Sequence, residues 1–262
     1  MKNERKRIKK DGMKKGIYIL PNLFTTANLF CGFYSVIFSM KGDFHGAAIA
    51  IIIAIILDGL DGRIARMTST TSKFGAEYDS LADLVAFGVA PAILIYTWAL
   101  SPFGKWGCLA SFLFIVCGAL RLARFNIQIG IIESRMFNGL PIPAAASIVA
   151  MGVLLFHYLG GTGQLNHPSI LIGMVLLSLL MVSSIKYYSF KDLNLFSRKP
   201  FVSFVLIVVI LVIVVAEPQI MLFTFAFGYS ISGPVWTLTK IAKRKSSKER
   251  LEEQKQEVGS NK

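Results

Sequence analysis

Charge is scarce in this chain. Only 16% of its 262 residues are Asp, Glu, Lys or Arg, against roughly 25% in an ordinary soluble domain. With 54% apolar residues and a mean hydropathy of +0.58, that scarcity argues against a soluble enzyme and equally against a disordered chain. Cysteine and histidine are also few. Cys31, Cys108 and Cys117 all sit in apolar runs without a CxxC pair, and His45, His157 and His167 are scattered. Neither a disulfide framework nor a zinc site is expected, and the cysteines read as small apolar packing residues. No small-residue cleavage site follows the basic N-terminus, so the first apolar run is expected to remain as a span.

Long apolar stretches are what the sequence has in abundance. About 20 apolar residues cross a bilayer, and eight stretches of that kind are expected at approximately 21–40, 46–66, 75–98, 106–126, 141–159, 168–187, 201–216 and 219–239. The seventh is short, and Glu217-Pro218 makes a tight turn before the eighth; one re-entrant hairpin is the minor alternative for that pair. The expected fold is all-α, a polytopic membrane helical bundle of about eight transmembrane helices. A basic tail is expected at 1–16, the membrane-embedded domain at 17–239 and a charged tail at 240–262.

The 28 Lys and Arg outnumber the 15 Asp and Glu, for a net charge of +13. Their placement explains the excess. With eight spans, 26 of the 28 basic residues fall on one side of the membrane and only Lys41 and Lys105 on the other. The positive-inside rule then puts both termini in the cytoplasm, as in a protein of the cytoplasmic (inner) membrane. Juxtamembrane Lys and Arg anchor such a protein and attract anionic membrane lipids. Neither tail interleaves aromatic residues with its basic ones, so no nucleic-acid partner is expected.

Four of the few acidic residues lie close together in sequence. Asp58, Asp61, Asp79 and Asp83 fall at the expected cytoplasmic ends of spans two and three. Asp58 and Asp61 are three apart and share a helix face, which Gly62, Ala65 and Arg66 extend; Gly75, Asp79 and Asp83 are each four apart and share another. The polar link 67–74 is short, so the two spans are antiparallel neighbours whose acidic faces can converge. Carboxylates so placed repel one another and pay a further penalty for burial. Arg63 and Arg66 balance only part of that charge. Oxygen-only ligand sets suit Mg²⁺, Mn²⁺ or Ca²⁺, and carboxylates shared between two ions fit a two-metal centre acting on phosphoryl groups. Gly62 and Gly75 clear side chains from the two faces, for a phosphorylated ligand or for close helix packing. An incomplete salt-bridge network and the ion pathway of a cation transporter remain alternatives.

Residues 58–83 match D-x2-D-G-x2-A-R-x8-G-x3-D-x3-D at every fixed position. On that motif the chain resembles the CDP-alcohol phosphatidyltransferases. The stretches L20-P-N-L-F-T-T-A-N-L-F-C-G-F33, R121-L-A-R-F-N126, F137-N-G-L-P-I-P-A-A145 and Y188-S-F-K191 are similar to the serine-using branch of that family. The resemblance implies transfer of the phosphatidyl group from CDP-diacylglycerol to an alcohol, with release of CMP; in that branch the alcohol is L-serine. It implies two divalent cations, Mg²⁺ or Mn²⁺. Asp58, Asp61 and Asp79 would be metal ligands, and Asp83 both a ligand of the second ion and the catalytic general base. Gly62, Arg66 and Gly75 would contact the CDP moiety, and a homodimer is expected. Other acceptors (glycerol phosphate, inositol phosphate) or serine with an archaeal-type lipid donor stay open, because the motif reads CDP and metal rather than the alcohol.

For the acceptor, Arg121 and Arg124 stand three apart at the end of span four, with Asn126 nearby. An arginine fork suits a carboxylate or phosphate, although basic residues at a helix end also serve as plain membrane anchors. Thr25 and Asn28, just inside span one, are expected to line the same cavity.

Overall fold

The structure, a computed structural model, describes residues 22–68, 72–128, 136–188, Val205 and 216–260, with side chains described except at 65–68, 128, 136–137, 188, 238 and 241–260. Helix α1 (Asn22–Met40) ends where Gly42 takes a left-handed φ of 77°. The Asp43 amide then donates back to the Phe38 carbonyl, and Asp43 Oδ1 accepts the Gly46 amide at 2.8 Å, opening α2 (Phe44–Thr68). So short a connection forces α1 and α2 to run antiparallel. Along α2, Ala47, Ile51 and Ala54 are fully buried, and the same three-to-four-residue step continues to Asp58 and Asp61. The packing stripe of an apolar helix therefore ends in carboxylates.

Ser72 caps the next helix, its Oγ accepting the Gly75 amide at 2.9 Å. That helix, α3 (Lys73–Phe103), is continuous over 31 residues but contains two π-helical segments, Leu84–Val89 and Tyr96–Leu100. The first begins directly after Asp83. Two rows of buried residues run along it at a repeat of four: Ala82, Ala86, Ala90, Leu94 and Trp98, and beside them Asp83, Phe87, Pro91, Ile95 and Ala99. Gly104 turns the chain into α4 (Lys105–Gln128). Helices α5 (Ile142–Tyr158) and α6 (Pro168–Val182) follow, and α7 (Pro218–Ser260) carries the chain beyond the last expected span.

One feature is not legible in the hydropathy pattern. Strand β1 (Met136–Asn138) pairs antiparallel with β2 (Lys186–Tyr188), Phe137 opposite Tyr187. This ribbon joins the segments that lead into α5 and out of α6. Gly139, at φ 81°, donates its amide to the Ile185 carbonyl at 2.8 Å, and a Cβ there would meet the Met181 carbonyl oxygen. Tyr187 is fully buried, donates to the Ser230 carbonyl at 2.9 Å and lies against Gly233, which pins the ribbon to α7.

The protein is mostly helical, and alanines line much of its core beside large side chains such as Phe87, Phe114 and Leu94. Ala47, Ala48, Ala54, Ala82, Ala86, Ala90, Ala145, Ala146 and Ala150 are completely buried, whereas Phe30, Phe33, Ile53, Ile56, Phe112 and Leu176 are exposed. Small residues on the packed faces and large apolar side chains on the outside fit helices packed in lipid, where close backbone approach replaces the hydrophobic drive. Helices α1, α3 and α4 are long and apolar enough to cross a membrane, while α5 and α6 are shorter apolar helices. The expected spans at 21–40, 46–66, 75–98, 106–126, 141–159, 168–187 and 219–239 each overlap a described helix; the span at 201–216 lies almost wholly outside the described residues.

Helices α1 and α3 approach closely, since a Cβ at Gly32 would fall 2.6 Å from Ala86 Cα. Gly32→Val should therefore force α1 off α3 and lower stability by about 1–3 kcal/mol, read as a fall in thermal unfolding temperature in detergent. Gly173→Ala, whose added methyl meets nothing within 4 Å, should leave that temperature unchanged.

Candidate active site

Four helix ends meet at one end of the bundle: the start of α1, the end of α2, the start of α3 and the end of α4. The capped start of α3 and the apolar stripe of α2 aim Asp58, Asp61 and Asp79 at one another, and one oxygen from each lies within 4.8 Å of the other two. Asp61 is only 5% exposed, and its Oδ2 accepts from Thr25 Oγ1 at 3.2 Å. Asp79 Oδ1 is buried without a hydrogen-bond partner among the described residues. A buried carboxylate oxygen left bare is costly unless a cation or donor answers it. Three hard oxygen donors around one point, one of them unanswered, fit Mg²⁺ or a similar divalent cation.

Asp83 stands beside this trio without belonging to it. It is 9% exposed, within electrostatic reach of Asp58, Asp61 and Asp79, and its Oδ1 accepts from Asn28 Nδ2 at 3.1 Å. Asn28 is fully buried, and its own Oδ1 has no partner among the described residues. Thr25 and Asn28, three apart on α1, thus each take hold of one carboxylate.

The other expected site residues are distributed as follows. Gly62 follows Asp61 on α2 and is half-buried. Gly75 lies in the first turn of α3, where a Cβ would press on Ser72 Oγ at 3.1 Å and Asn22 Oδ1 at 3.4 Å. The Arg66 side chain lies outside the described residues. Arg121 lies within electrostatic range of Tyr229 and Asp83, with its Nε buried and unpartnered among the described residues. Arg124 turns away, its Nη1 3.5 Å from the Val182 carbonyl, so the two arginines do not close as a fork. Asn126 donates from Nδ2 to Ser80 Oγ at 3.0 Å, clipping the end of α4 to α3 beside Asp79.

Spacing in the sequence did not reveal Ser80, nor Tyr229. The Tyr229 ring lies 5.5 Å from that of Tyr187 and stands within electrostatic range of Arg121. The only signal for it was the apolar, aromatic character of the last span, which names no single residue.

The family model for CDP-alcohol phosphatidyltransferase matches residues 18–185. A CDP-diacylglycerol–serine O-phosphatidyltransferase of Helicobacter pylori is 47% identical over 182 residues, 68% of this chain and 75% of that protein. One of Bacillus subtilis is 37% identical over 174 residues, 66% of this chain and 91% of that protein. An archaetidylserine synthase of Methanothermobacter thermautotrophicus is 39% identical over 170 residues, 64% of this chain and 69% of that protein.

Thr25 orients a carboxylate of the trio, so its loss should be felt in cation binding. Thr25→Val should weaken Mn²⁺ binding by roughly 10–100-fold, measured by the loss of free-ion EPR signal on titration. Unchanged binding would mean that the hydroxyl serves packing alone.

Proposed function

This chain belongs to the CDP-alcohol phosphatidyltransferase family, and from that premise we propose that it transfers the phosphatidyl group of CDP-diacylglycerol to the hydroxyl of L-serine, releasing CMP. The observation that carries the reading is the trio Asp58, Asp61 and Asp79 within a complete family motif. The choice of serine is supported by the names of the relatives in Helicobacter pylori and Bacillus subtilis. Those names also favour lipid transfer over an ion pathway. The archaetidylserine synthase relative supports one second reading, in which serine is kept and the lipid donor is of the archaeal type.

In this proposal Asp58, Asp61 and Asp79 would hold divalent cations and Asp83 would help to hold the second; Mg²⁺ or Mn²⁺ would supply charge neutralisation and a better CMP leaving group. Gly62, Gly75 and Arg66 flank the CDP moiety. Arg121 meets the acceptor's carboxylate, and Asn126 keeps the end of α4 in place against α3. Asp83 has one oxygen held by Asn28, and its other oxygen accepts the proton of the serine hydroxyl, a weak nucleophile until that proton is removed. The serine oxygen bonds to phosphorus as the phosphorus–oxygen bond to CMP breaks. CMP departs with the electron pair, and the proton stays on Asp83 until solvent takes it.

Apolar helices and the family mark an integral membrane protein. The proposal places it in the inner membrane as an eight-span homodimer with a domain over 17–239 between cytoplasmic tails, and the site at the cytoplasmic boundary. That position suits one lipid substrate and two water-soluble species, serine and CMP.

The test is CMP release by the purified protein in detergent with CDP-diacylglycerol and Mg²⁺ or Mn²⁺, offering L-serine, glycerol 3-phosphate and inositol phosphate in turn. Release should require L-serine and stop with excess chelator; release driven by another acceptor would overturn the choice of serine, and release that persists in chelator would overturn the metal site. Asp83→Asn should lower kcat by roughly 10²–10⁴-fold while CDP-diacylglycerol still binds. Near-normal turnover would remove Asp83 as the base.

A further inference from the structure

Asp83 has two unanswered groups for neighbours. On one side is the carbonyl oxygen of Asn28, on a side chain with no exposed surface. The orientation of that amide is set by Asp83, because only the Nδ2 end can donate to a carboxylate. Its Oδ1 must then point elsewhere, and it finds no donor among the described residues. Also within electrostatic range of Asp83 is Arg121, whose buried Nε finds no acceptor among the described residues. Buried polar groups are almost always paired, so an orphaned acceptor and an orphaned donor beside one carboxylate are places for a ligand's groups.

We infer that Asn28 and Arg121 divide the reading of a zwitterionic acceptor between them, Asn28 Oδ1 accepting from its ammonium group and Arg121 donating to its carboxylate. This rests on the proposed transfer to an amino-acid hydroxyl and gives each charged group of the acceptor its own contact. The chemistry is complementary: a carbonyl oxygen is an acceptor for N–H donors, and a guanidinium has donors only. With both charged groups of its Cα held, such an acceptor has only its hydroxymethyl arm left free, and that arm can turn its hydroxyl to Asp83. Asn28 thereby has two tasks, one hand on the base and the other on the substrate. A phosphate-bearing acceptor would leave Asn28 Oδ1 facing an anion, which is a reason for its rejection.

Two truncated acceptors separate the ends. Ethanolamine lacks the carboxylate of serine, and 3-hydroxypropanoate lacks the ammonium. Wild-type protein should prefer L-serine to each by roughly 100-fold or more in kcat/KM, because each analogue leaves a buried group unpaired. Asn28→Ala should lower kcat for every acceptor, through Asp83, and in addition collapse the preference for serine over 3-hydroxypropanoate. Arg121→Ala should collapse the preference over ethanolamine and leave the preference over 3-hydroxypropanoate standing. If Asn28 only positions Asp83, all three acceptors will fall together in Asn28→Ala with their ratios unchanged, and the inference is overturned. Should Asn28→Ala fail to fold, the wild-type ratios still decide: equal use of serine and 3-hydroxypropanoate would overturn the inference without any variant. Wild-type protein that releases no CMP in response to serine would instead overturn the proposed function itself.

Discussion

Like charges a few ångströms apart in a medium of low polarity repel strongly, and Asp58, Asp61 and Asp79 each place an oxygen within 4.8 Å of the other two. Asp83 adds a fourth charge within reach. The chain's own answer to this repulsion is partial. Thr25 supplies one donor to Asp61 and Asn28 one to Asp83, while Asp79 keeps a bare buried oxygen. A fold that only needed to be stable would replace such a cluster with apolar side chains. Keeping it makes sense where a cation completes the set. The rest of the architecture follows from holding four unwilling neighbours at fixed positions: a capped start for α3, a short link between α2 and α3, and α1 laid close enough for short side chains to reach across.

That closeness depends on what the helices lack. Gly32 lets α1 touch the backbone of α3 at Ala86, and fully buried alanines line the inner faces of α2, α3 and α5. Thr and Asn have short side chains, so their hydrogen bonds to Asp61 and Asp83 exist only because the helix axes are near. The packing of the bundle and the donor set of the site are therefore one arrangement seen from two directions.

Much of this was legible in the sequence because it is local. The three-residue step from Asp58 to Asp61 and the four-residue steps from Gly75 to Asp83 place carboxylates on helix faces whatever the rest of the chain does. Hydropathy locates the spans for the same reason, since each is a run of its own residues. What the sequence hid depends on contacts between distant segments. The Met136–Asn138 and Lys186–Tyr188 ribbon joins strands about fifty positions apart that are too short to carry an alternating pattern. Ser80 meets Asn126, and Tyr229 stands within electrostatic range of Arg121, across helices that no spacing rule connects. Arg121 and Arg124 make the opposite lesson: three apart on one helix, they still go to different partners, because the end of α6 offers Arg124 the Val182 carbonyl.

The π-helical segments of α3 have a consequence in rotational phase. Residues four apart on an α-helix drift by about 40° at each step, since each residue advances about 100°. The row from Gly75 through Asp79, Asp83, Phe87, Pro91 and Ile95 to Ala99 would wind roughly 240° around a regular α-helix, carrying its later members out towards lipid. A π segment takes one residue more than an α turn and sets the phase back by about 100°. Two of them, at Leu84–Val89 and Tyr96–Leu100, cancel most of the winding. The row that begins with carboxylates and ends as core thus stays near one azimuth for the length of the bundle, and the orientation of Asp79 and Asp83 is tied to that of a packed face some 20 Å away by the helix rise.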